Sequence, residues 1–229
     1  MRSLIALTLP LLLIAALSIA APAADDVPYA EVIRLAGPVT LTRPPSTKVI
    51  NAKAGLKLFA GDVLKVGENG KTQLKFQPNT LVLIKENSVL TLSELAPQGR
   101  TRASLTAGSL IANLKEALSP GATFELETPT AMAIVRGTVY EVEITPDADE
   151  SKPPRVDFYG YEGDVEITSE GEVFHLTAGA RLLFEYGVLP QVLTHTRVLA
   201  DIMQMFSEDY WKNEAKNRVE GEIRSHLPF

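Results

Sequence analysis

The chain has 229 residues, with 22 Lys and Arg against 28 Asp and Glu, a net charge of −6 and no cysteine. This length is enough for one sizeable hydrophobic core or two small ones. The acidic balance argues against a nucleic acid or an anionic membrane surface as partner, and the lack of cysteine excludes disulfides, thiol chemistry and cysteine-based metal sites.

The first 23 residues have the pattern of an export signal. Arg2 is the only charge before an apolar stretch, and Ala21-Pro22-Ala23 has the small-x-small pattern of a signal peptidase site. We therefore predict cleavage after Ala23 and a mature bacterial protein in the periplasm or secreted. The alternative is an uncleaved membrane anchor, because the stretch approaches spanning length. Later apolar runs are only as long as strands, so we expect no membrane span after cleavage.

Residues 29–186 show many short stretches in which apolar and polar residues alternate, separated by turn residues. Such alternation is typical of half-buried strands, and many short strands indicate a sandwich or barrel. Glycines recur where strands are predicted to open, at Gly37, Gly108 and Gly163. Residues 43–47 and 146–154 are predicted loops. We predict an all-β, jelly-roll-like β-sandwich over residues 24–190.

The segment 124–144 contains two such strands with glutamates on their polar faces. Between them, the apolar run 131–135 ends at Arg136 and Gly137, where a glycine permits a bulge or a close backbone approach. Since Arg136 ends an apolar run, we expect its guanidinium to pair at the edge of the core, with Glu141 or Glu162 as candidate partners. Recognition of a ligand or partner by Arg136 is the alternative.

Carboxylates are the only plentiful candidate catalytic groups. We interpret the strand glutamates as solvated, and a glycosidase dyad built from two of them is a remote alternative; they are Glu125, Glu127, Glu141 and Glu143. The acidic residues of loop 146–154 are likewise interpreted as solvated rather than as a calcium site.

Other chemistry-bearing motifs are missing from the sequence. There is no nucleophile elbow and no Gly-rich phosphate loop, and the three histidines, His175, His195 and His226, are not at metal-ligand spacing. The sequence therefore predicts no enzyme, no cofactor and no metal site.

A helix is predicted from about residue 198 to about residue 223, within a helical tail over residues 191–229. Apolar residues share one face, and three Glu-to-base pairs lie at i,i+4. Thr194 or Thr196 is the expected cap. Trp211 lies off the main apolar face, so the helix either bends to pack two seams or presents a partner surface. In the second case the contacts are Phe206, Tyr210 and Trp211.

Three aromatic residues cluster in one predicted strand: Phe158, Tyr159 and Tyr161. Exposed aromatic side chains on a concave face are typical of glycan-binding sites. A cell-wall or exopolysaccharide glycan is therefore the alternative partner.

Taken in order, the turn and strand motifs resemble a FecR domain over roughly residues 30–184. The most specific block is Thr128-Pro129 leading to Arg136-Gly137-Thr138, for which we expect a structural role. Shorter motifs share glycine-led turns and alternating strands: Gly37-Pro38-Val39, Gly61-Asp62-Val63-Leu64, Ser88-Val89-Leu90-Thr91-Leu92, Gly108-Ser109-Leu110, Gly163-Asp164-Val165 and Ala178-Gly179.

The resemblance implies an extracytoplasmic β domain without catalytic residues. Familiar family members are transmembrane regulators with a cytoplasmic helical head, but only three residues precede the apolar segment here, so no such head is expected. We predict a non-enzymatic, exported module for protein interaction or envelope sensing, which recognises an envelope or secreted protein through a sheet edge.

Overall fold

The computed structural model describes residues 28–76, 80–93, 100–114 and 123–226. The predicted leader, residues 1–23, lies outside the described residues. The strands are β1 Ala30–Ala36, β2 Val39–Thr42, β3 Val49–Asn51, β4 Lys57–Leu58, β5 Val63–Val66, β6 Lys71–Phe76, β7 Thr80–Ile84, β8 Ser88–Leu92, β9 Arg100–Asn113, β10 Thr123–Glu127, β11 Met132–Val135, β12 Val139–Thr145, β13 Arg155–Glu162, β14 Asp164–Ser169, β15 Glu172–Thr177, β16 Ala180–Phe184 and β17 Gln191–Thr194. Two helices follow, α1 Leu199–Gln204 and α2 Glu208–His226.

The strands form two sheets that share β9. Sheet A has the order β4-β1-β6-β7-β9-β12-β13-β16-β17, and all its pairs are antiparallel. Sheet B has the order β3-β2-β5-β8-β9-β10-β11-β14-β15, in which only the β9–β10 pair is parallel. Side chains from both sheets meet in one core cluster. This arrangement confirms the predicted all-β class.

Strand β9 belongs to both sheets because it bends at Gly108. Its first half pairs with β8 and β10 in sheet B, and its second half pairs with β7 and β12 in sheet A. Gly108 has φ +80°, a conformation in which only glycine is unstrained. The predicted strand opening at Gly108 is therefore a bend within one long strand.

The core between the sheets is rich in aromatic contacts. Phe76 is fully buried, and its ring makes edge-to-face contacts with Tyr29 and Phe124 at centroid distances of 5.9 and 5.4 Å. Such pairs add about 1 kcal/mol each to the effect of burial alone. The two predicted loops are confirmed: 43–47 lies between β2 and β3, and 146–154 joins the β12–β13 hairpin.

The predicted single helix is in fact two helices, interrupted at residues 205–207. Ser207 precedes α2 and caps it, since its Oγ accepts a hydrogen bond from the Tyr210 backbone N–H at 3.2 Å. A serine cap favours a new helix start over continuation of the old one. The expected caps are also wrong, because Thr194 lies in β17, Thr196 precedes α1 without capping it, and α1 begins after Val198 with no side-chain cap.

Residues 195–226, which we call the C-terminal arm, cover the outer face of sheet A. Ile202, Phe206 and Trp211 form a second buried cluster with sheet side chains that include Ile111 and Tyr159. Of the two predicted seams, the first packs on the sheet through Ile202 and Phe206, whereas in the second Trp211 is buried but Ala215 is exposed. Within the described part of the chain, no helix is long and apolar enough to cross a membrane.

Trp211 holds the break between the helices in place, since its indole Nε1 donates to the Met205 carbonyl at 3.1 Å. We expect Trp211→Phe to lower the free energy of unfolding by about 1 kcal/mol, because it loses this bond but keeps an aromatic ring. Trp211→Ala should cost about 3 kcal/mol. Urea unfolding of the two variants tests this, and a Trp211→Phe variant as stable as the wild type would show that the bond does not contribute.

Candidate functional site

The predicted partner contacts on the helix are not on the surface. Phe206 and Trp211 are 9% and 8% exposed and pack against sheet A. Tyr210 is half-buried, and its hydroxyl accepts a hydrogen bond from Lys71 Nζ at 2.9 Å. These three residues attach the arm to the sheet, which corrects the expectation that they face a partner.

The predicted glycan contacts are also covered. Phe158 is fully buried in the core, whereas Tyr159 and Tyr161 lie on the opposite face of β13 beneath the arm. His195 packs edge-on against both tyrosine rings at 5.5 and 5.3 Å, and the Arg197 guanidinium lies 3.8 Å from the Tyr159 ring centroid. The three aromatics therefore form no exposed face on which a sugar could stack.

The family motif residues shape two connections. Thr128 closes the β10–β11 turn, where its Oγ1 donates to the Ala131 carbonyl at 2.7 Å and accepts from the Ala131 N–H at 3.1 Å. Pro129 follows in the same turn. Arg136-Gly137-Thr138 carries the chain from sheet B to sheet A.

Within that crossover, Gly137 has φ +64°, and an added Cβ would meet no atom within 4 Å. The glycine is thus required by its backbone conformation and not by a close approach. Thr138 is buried, whereas Arg136 is exposed, so the predicted place of its guanidinium at the core edge is wrong.

The strand glutamates are not uniformly solvated. The Glu141 side chain is 1% exposed and accepts hydrogen bonds from Lys85, Tyr161 and Arg197 at 2.5, 2.5 and 2.7 Å. Glu143, two residues further, is 40% exposed and bonds to the same arginine at 3.0 Å. The arm supplies Arg197, and this long-range contact is why the solvated interpretation fails for Glu141.

Burial alone would raise the pKa of Glu141, but the nearby Lys85 charge, the hydrogen bonds from Lys85 and Tyr161, and the Arg197 charge outweigh it. The pKa of Glu141 is therefore held below its ordinary value. The pKa of Tyr161 is raised by burial and by the adjacent carboxylate. The network thus keeps Glu141 ionised and Tyr161 protonated at neutral pH.

Glu125 is buried too, but on the outer face of sheet B, where Arg102 donates to it at 2.7 Å. The parent strands β10 and β12 belong to different sheets, so Glu125 and Glu141 lie on opposite sides of the sandwich. They do not form the closely spaced pair that a glycosidase dyad requires. Glu127 lies 3.7 Å from the same arginine.

Sequence reasoning missed the fully buried Asp157 on β13. Its carboxylate pairs with Arg155 at 3.0 Å and with Arg181 at 2.6 Å. An acidic residue between apolar neighbours, as in Val156-Asp157-Phe158, is ordinary in a half-exposed strand and does not indicate burial. The signal for a buried carboxylate was its pairing with two arginines, and Arg181 is distant in sequence.

The histidines and loop carboxylates do not assemble a metal site. Across the described ranges, no group of three or more potential ligands could hold a metal ion. His175 is exposed and lies 3.1 Å from Asp164. Asp149 bonds within its own loop to Ser151, and its N–H donates to Asp147 at 2.8 Å.

Strand β17 forms an open edge of sheet A. All four of its residues are exposed, including Val192 at 65% and Leu193 at 39%. Among the described strands it pairs only with β16. The His195 N–H donates to the Gly179 carbonyl at 3.0 Å, on the β16 side. Successive residues of a strand point their backbone N–H and C=O groups to opposite sides. Since the N–H of His195 points towards β16, the N–H and C=O groups of Val192 and Thr194 point away from the sheet.

A groove of about 550 Å³ lies close to this edge, between the β10–β11 turn and the turn that leads into β17. Its lining includes Pro129, Phe184, Tyr186, Leu189 and Pro190. Tyr186 is 62% exposed and Leu189 is 86% exposed. Open backbone groups and accessible apolar side chains are therefore concentrated at one end of the sandwich.

Fold and edge together define an all-β sandwich protein with an arm-covered face and an exposed, uncharged edge strand, β17. The family model described as FecR protein matches residues 62–166. This match confirms the resemblance to a FecR domain drawn from the motifs of the chain. No curated protein sequence matches it.

Two crystal structures of a candidate anti-sigma factor from Parabacteroides distasonis are similar to this chain, each with a TM-score of 0.50 and 15% sequence identity. Each match covers 64% of this chain and 64% or 65% of the other, so the chain spans less than two thirds of these proteins. At this identity the likeness shows the fold.

Proposed function

We propose that this protein is a non-enzymatic, exported module of signalling regulation that binds an extended segment of a partner protein along β17. The observation that carries the proposal is the open edge, where the outward backbone groups of Val192 and Thr194 meet no partner strand among the described residues and lie among exposed apolar side chains. An exposed strand edge is a template for a further strand, and main-chain hydrogen bonds supply much of the affinity of such complexes.

The chemistry of this surface specifies the partner segment. Residues 186–196 contain no Asp, Glu, Lys or Arg, although the whole chain carries a net charge of −6. An uncharged segment with apolar side chains would pair along β17 without leaving a buried charge unpaired. The groove lined by Pro129 and Tyr186 is large enough to hold one apolar side chain of that segment.

Three further observations support a binding role outside the cytoplasm. The export signal pattern at residues 1–23 and the lack of cysteine suit an envelope or secreted location. The buried strand glutamates Glu125 and Glu141 are engaged in ion pairs, as is typical of structural carboxylates. The family itself is regulatory.

Val192→Pro tests the proposal, because it removes an N–H that points away from the sheet. Proline is tolerated on an edge strand when its nitrogen faces solvent, so pairing with β16 should survive. With a photo-crosslinking residue at position 194, we expect a discrete adduct with an envelope protein in the source cells and at least a tenfold loss of it in Val192→Pro.

Val192→Thr is the matched control, since it keeps the N–H and should keep the adduct. Circular dichroism should show unchanged strand content in both variants. An adduct that persists in Val192→Pro at the level of Val192→Thr would contradict the use of this edge.

A further inference from the structure

We infer that the strand taken up at β17 is β17 of a second copy of this chain, so that two A sheets join across a two-fold axis. This inference rests on the proposed use of the β17 edge and names its partner. It is argued from the register of the free backbone groups, from charge and from the distribution of apolar side chains.

The alternation of backbone groups restricts how two β17 strands can pair. Two antiparallel strands related by a two-fold axis normal to the sheet must be centred on a residue that lies opposite its own copy. Centring on Leu193 places Val192 opposite Thr194 of the other copy, and both residues point their N–H and C=O groups outward. This register makes four interchain hydrogen bonds.

The competing register is poorer. Centring on Val192 pairs Val192 with its own copy and brings Thr194 opposite Pro190, which has no N–H to donate. Within β17 itself, only the Leu193-centred register pairs all the outward-pointing groups of Val192 and Thr194 with each other.

Charge also favours this edge as the contact between copies. Each chain carries a net charge of −6, so like copies repel over most of their surfaces. Along residues 186–196 no charged side chain opposes its copy. The other edge strands of the described sheets carry or adjoin a charge, which is how edges are commonly protected from pairing: Lys48 precedes β3, Lys57 lies in β4 and Glu172 lies in β15.

Apolar side chains flank the proposed axis. In the Leu193-centred register the two Leu193 side chains contact each other as a directly opposed pair. Val188 and Val198, which precede and follow β17 in the chain, are 45% and 53% exposed. Because the paired segment is only four residues long, the interface is small and we expect a weak, concentration-dependent dimer.

A single cysteine tests the register directly, because the chain has no cysteine of its own. In a non-hydrogen-bonded antiparallel pair the two Cα atoms lie about 4.5 Å apart, within the range that a disulfide bridges. We expect the full-length mature Leu193→Cys protein to form a disulfide-linked dimer under mild oxidation. In Val192→Cys the two cysteines are offset diagonally, so the yield of disulfide-linked dimer should be at least tenfold lower. Val49→Cys on β3 should form no such dimer.

Sedimentation equilibrium without any cysteine provides the second measurement. The wild type and Val192→Thr should show the same monomer–dimer equilibrium. Leu193→Lys should be monomeric, because it places two like charges opposite each other at the axis. Val192→Pro should also be monomeric, because it removes an outward-pointing N–H. Leu193 is already 39% exposed, so Leu193→Lys should fold normally.

A wild type that stays monomeric, with no Leu193→Cys dimer, would overturn the inference. The proposed function would survive that result if the adduct from position 194 still required the Val192 N–H and contained a different protein. If neither the Leu193→Cys dimer nor the Val192-dependent adduct is found, both the inference and the proposed function are overturned. A faster disulfide at position 49 would place the contact at β3 and would also overturn the inference.

Discussion

Gly108→Ala is expected to leave most of the protein unfolded, with a loss of at least about 4 kcal/mol in the free energy of unfolding. An alanine Cβ at this position would lie 2.5 Å from the Ser88 Cα and 2.7 Å from the Asn87 carbonyl oxygen. These are backbone atoms of the neighbouring turn and cannot move away as a flexible side chain could. The φ of +80° adds strain for any residue with a Cβ.

Gly137→Ala is the matched control. Gly137 also has a positive φ, +64°, but an added Cβ meets no atom within 4 Å. It should therefore cost only the backbone strain, about 1–2 kcal/mol. Urea unfolding followed by tryptophan fluorescence and circular dichroism measures both. Equal losses in the two variants would show that crowding at the β9 bend is not what requires Gly108.

Glu141→Ala is expected to lower the free energy of unfolding by about 3 kcal/mol and to loosen the C-terminal arm. The substitution leaves Lys85, Tyr161 and Arg197 without their shared acceptor. Hydrogen exchange should therefore accelerate in α1, which follows Arg197 directly. Glu143→Ala is the control on the same strand, and its partly exposed carboxylate should contribute less than about 1 kcal/mol. Similar losses in both variants would contradict the importance of burial at Glu141.

The same carboxylate makes stability depend on pH in a defined direction. The pKa of Glu141 is lower in the folded protein than in the unfolded chain, so the unfolded chain binds a proton more readily. Its contribution is complete above the ordinary glutamate pKa of about 4.3 and is lost as the pH falls through the lower folded value. The stability difference between the wild type and Glu141→Gln should be constant from pH 6 to 8. It should shrink below about pH 4, and a difference independent of pH throughout would contradict this assignment.

Local patterns in the sequence predicted most strands because a strand records its burial residue by residue. The alternation in residues 124–127 and 140–144 appears as β10 and β12, and the apolar run between them appears as β11. The FecR motifs were recognisable because glycines at Gly37, Gly137 and Gly163 adopt positive φ, which restricts the choice of residue at a turn.

The candidate site was less predictable, because its features depend on residues far apart in the chain. Glu141 and Glu143 have the same local pattern, yet only Glu141 is buried, since Arg197 and Tyr161 reach it from other elements. Phe158, Tyr159 and Trp211 suggested ligand or partner contacts, but the core or the arm covers each of them. The serine cap at Ser207 was a local signal that the strong helical pattern around it obscured.

The sequence by itself determined the all-β class, the resemblance to a FecR domain, the two main loops and the presence of a C-terminal helical segment. Periodicity reports that one side of a strand is buried and the other is not, and turn glycines report backbone conformation. Only the tertiary structure decided which face the arm covers and which strand is left at an open edge. Those outcomes follow from pairings between distant strands, and no local pattern in residues 191–194 records that, among the described strands, β17 has a neighbour on one side alone.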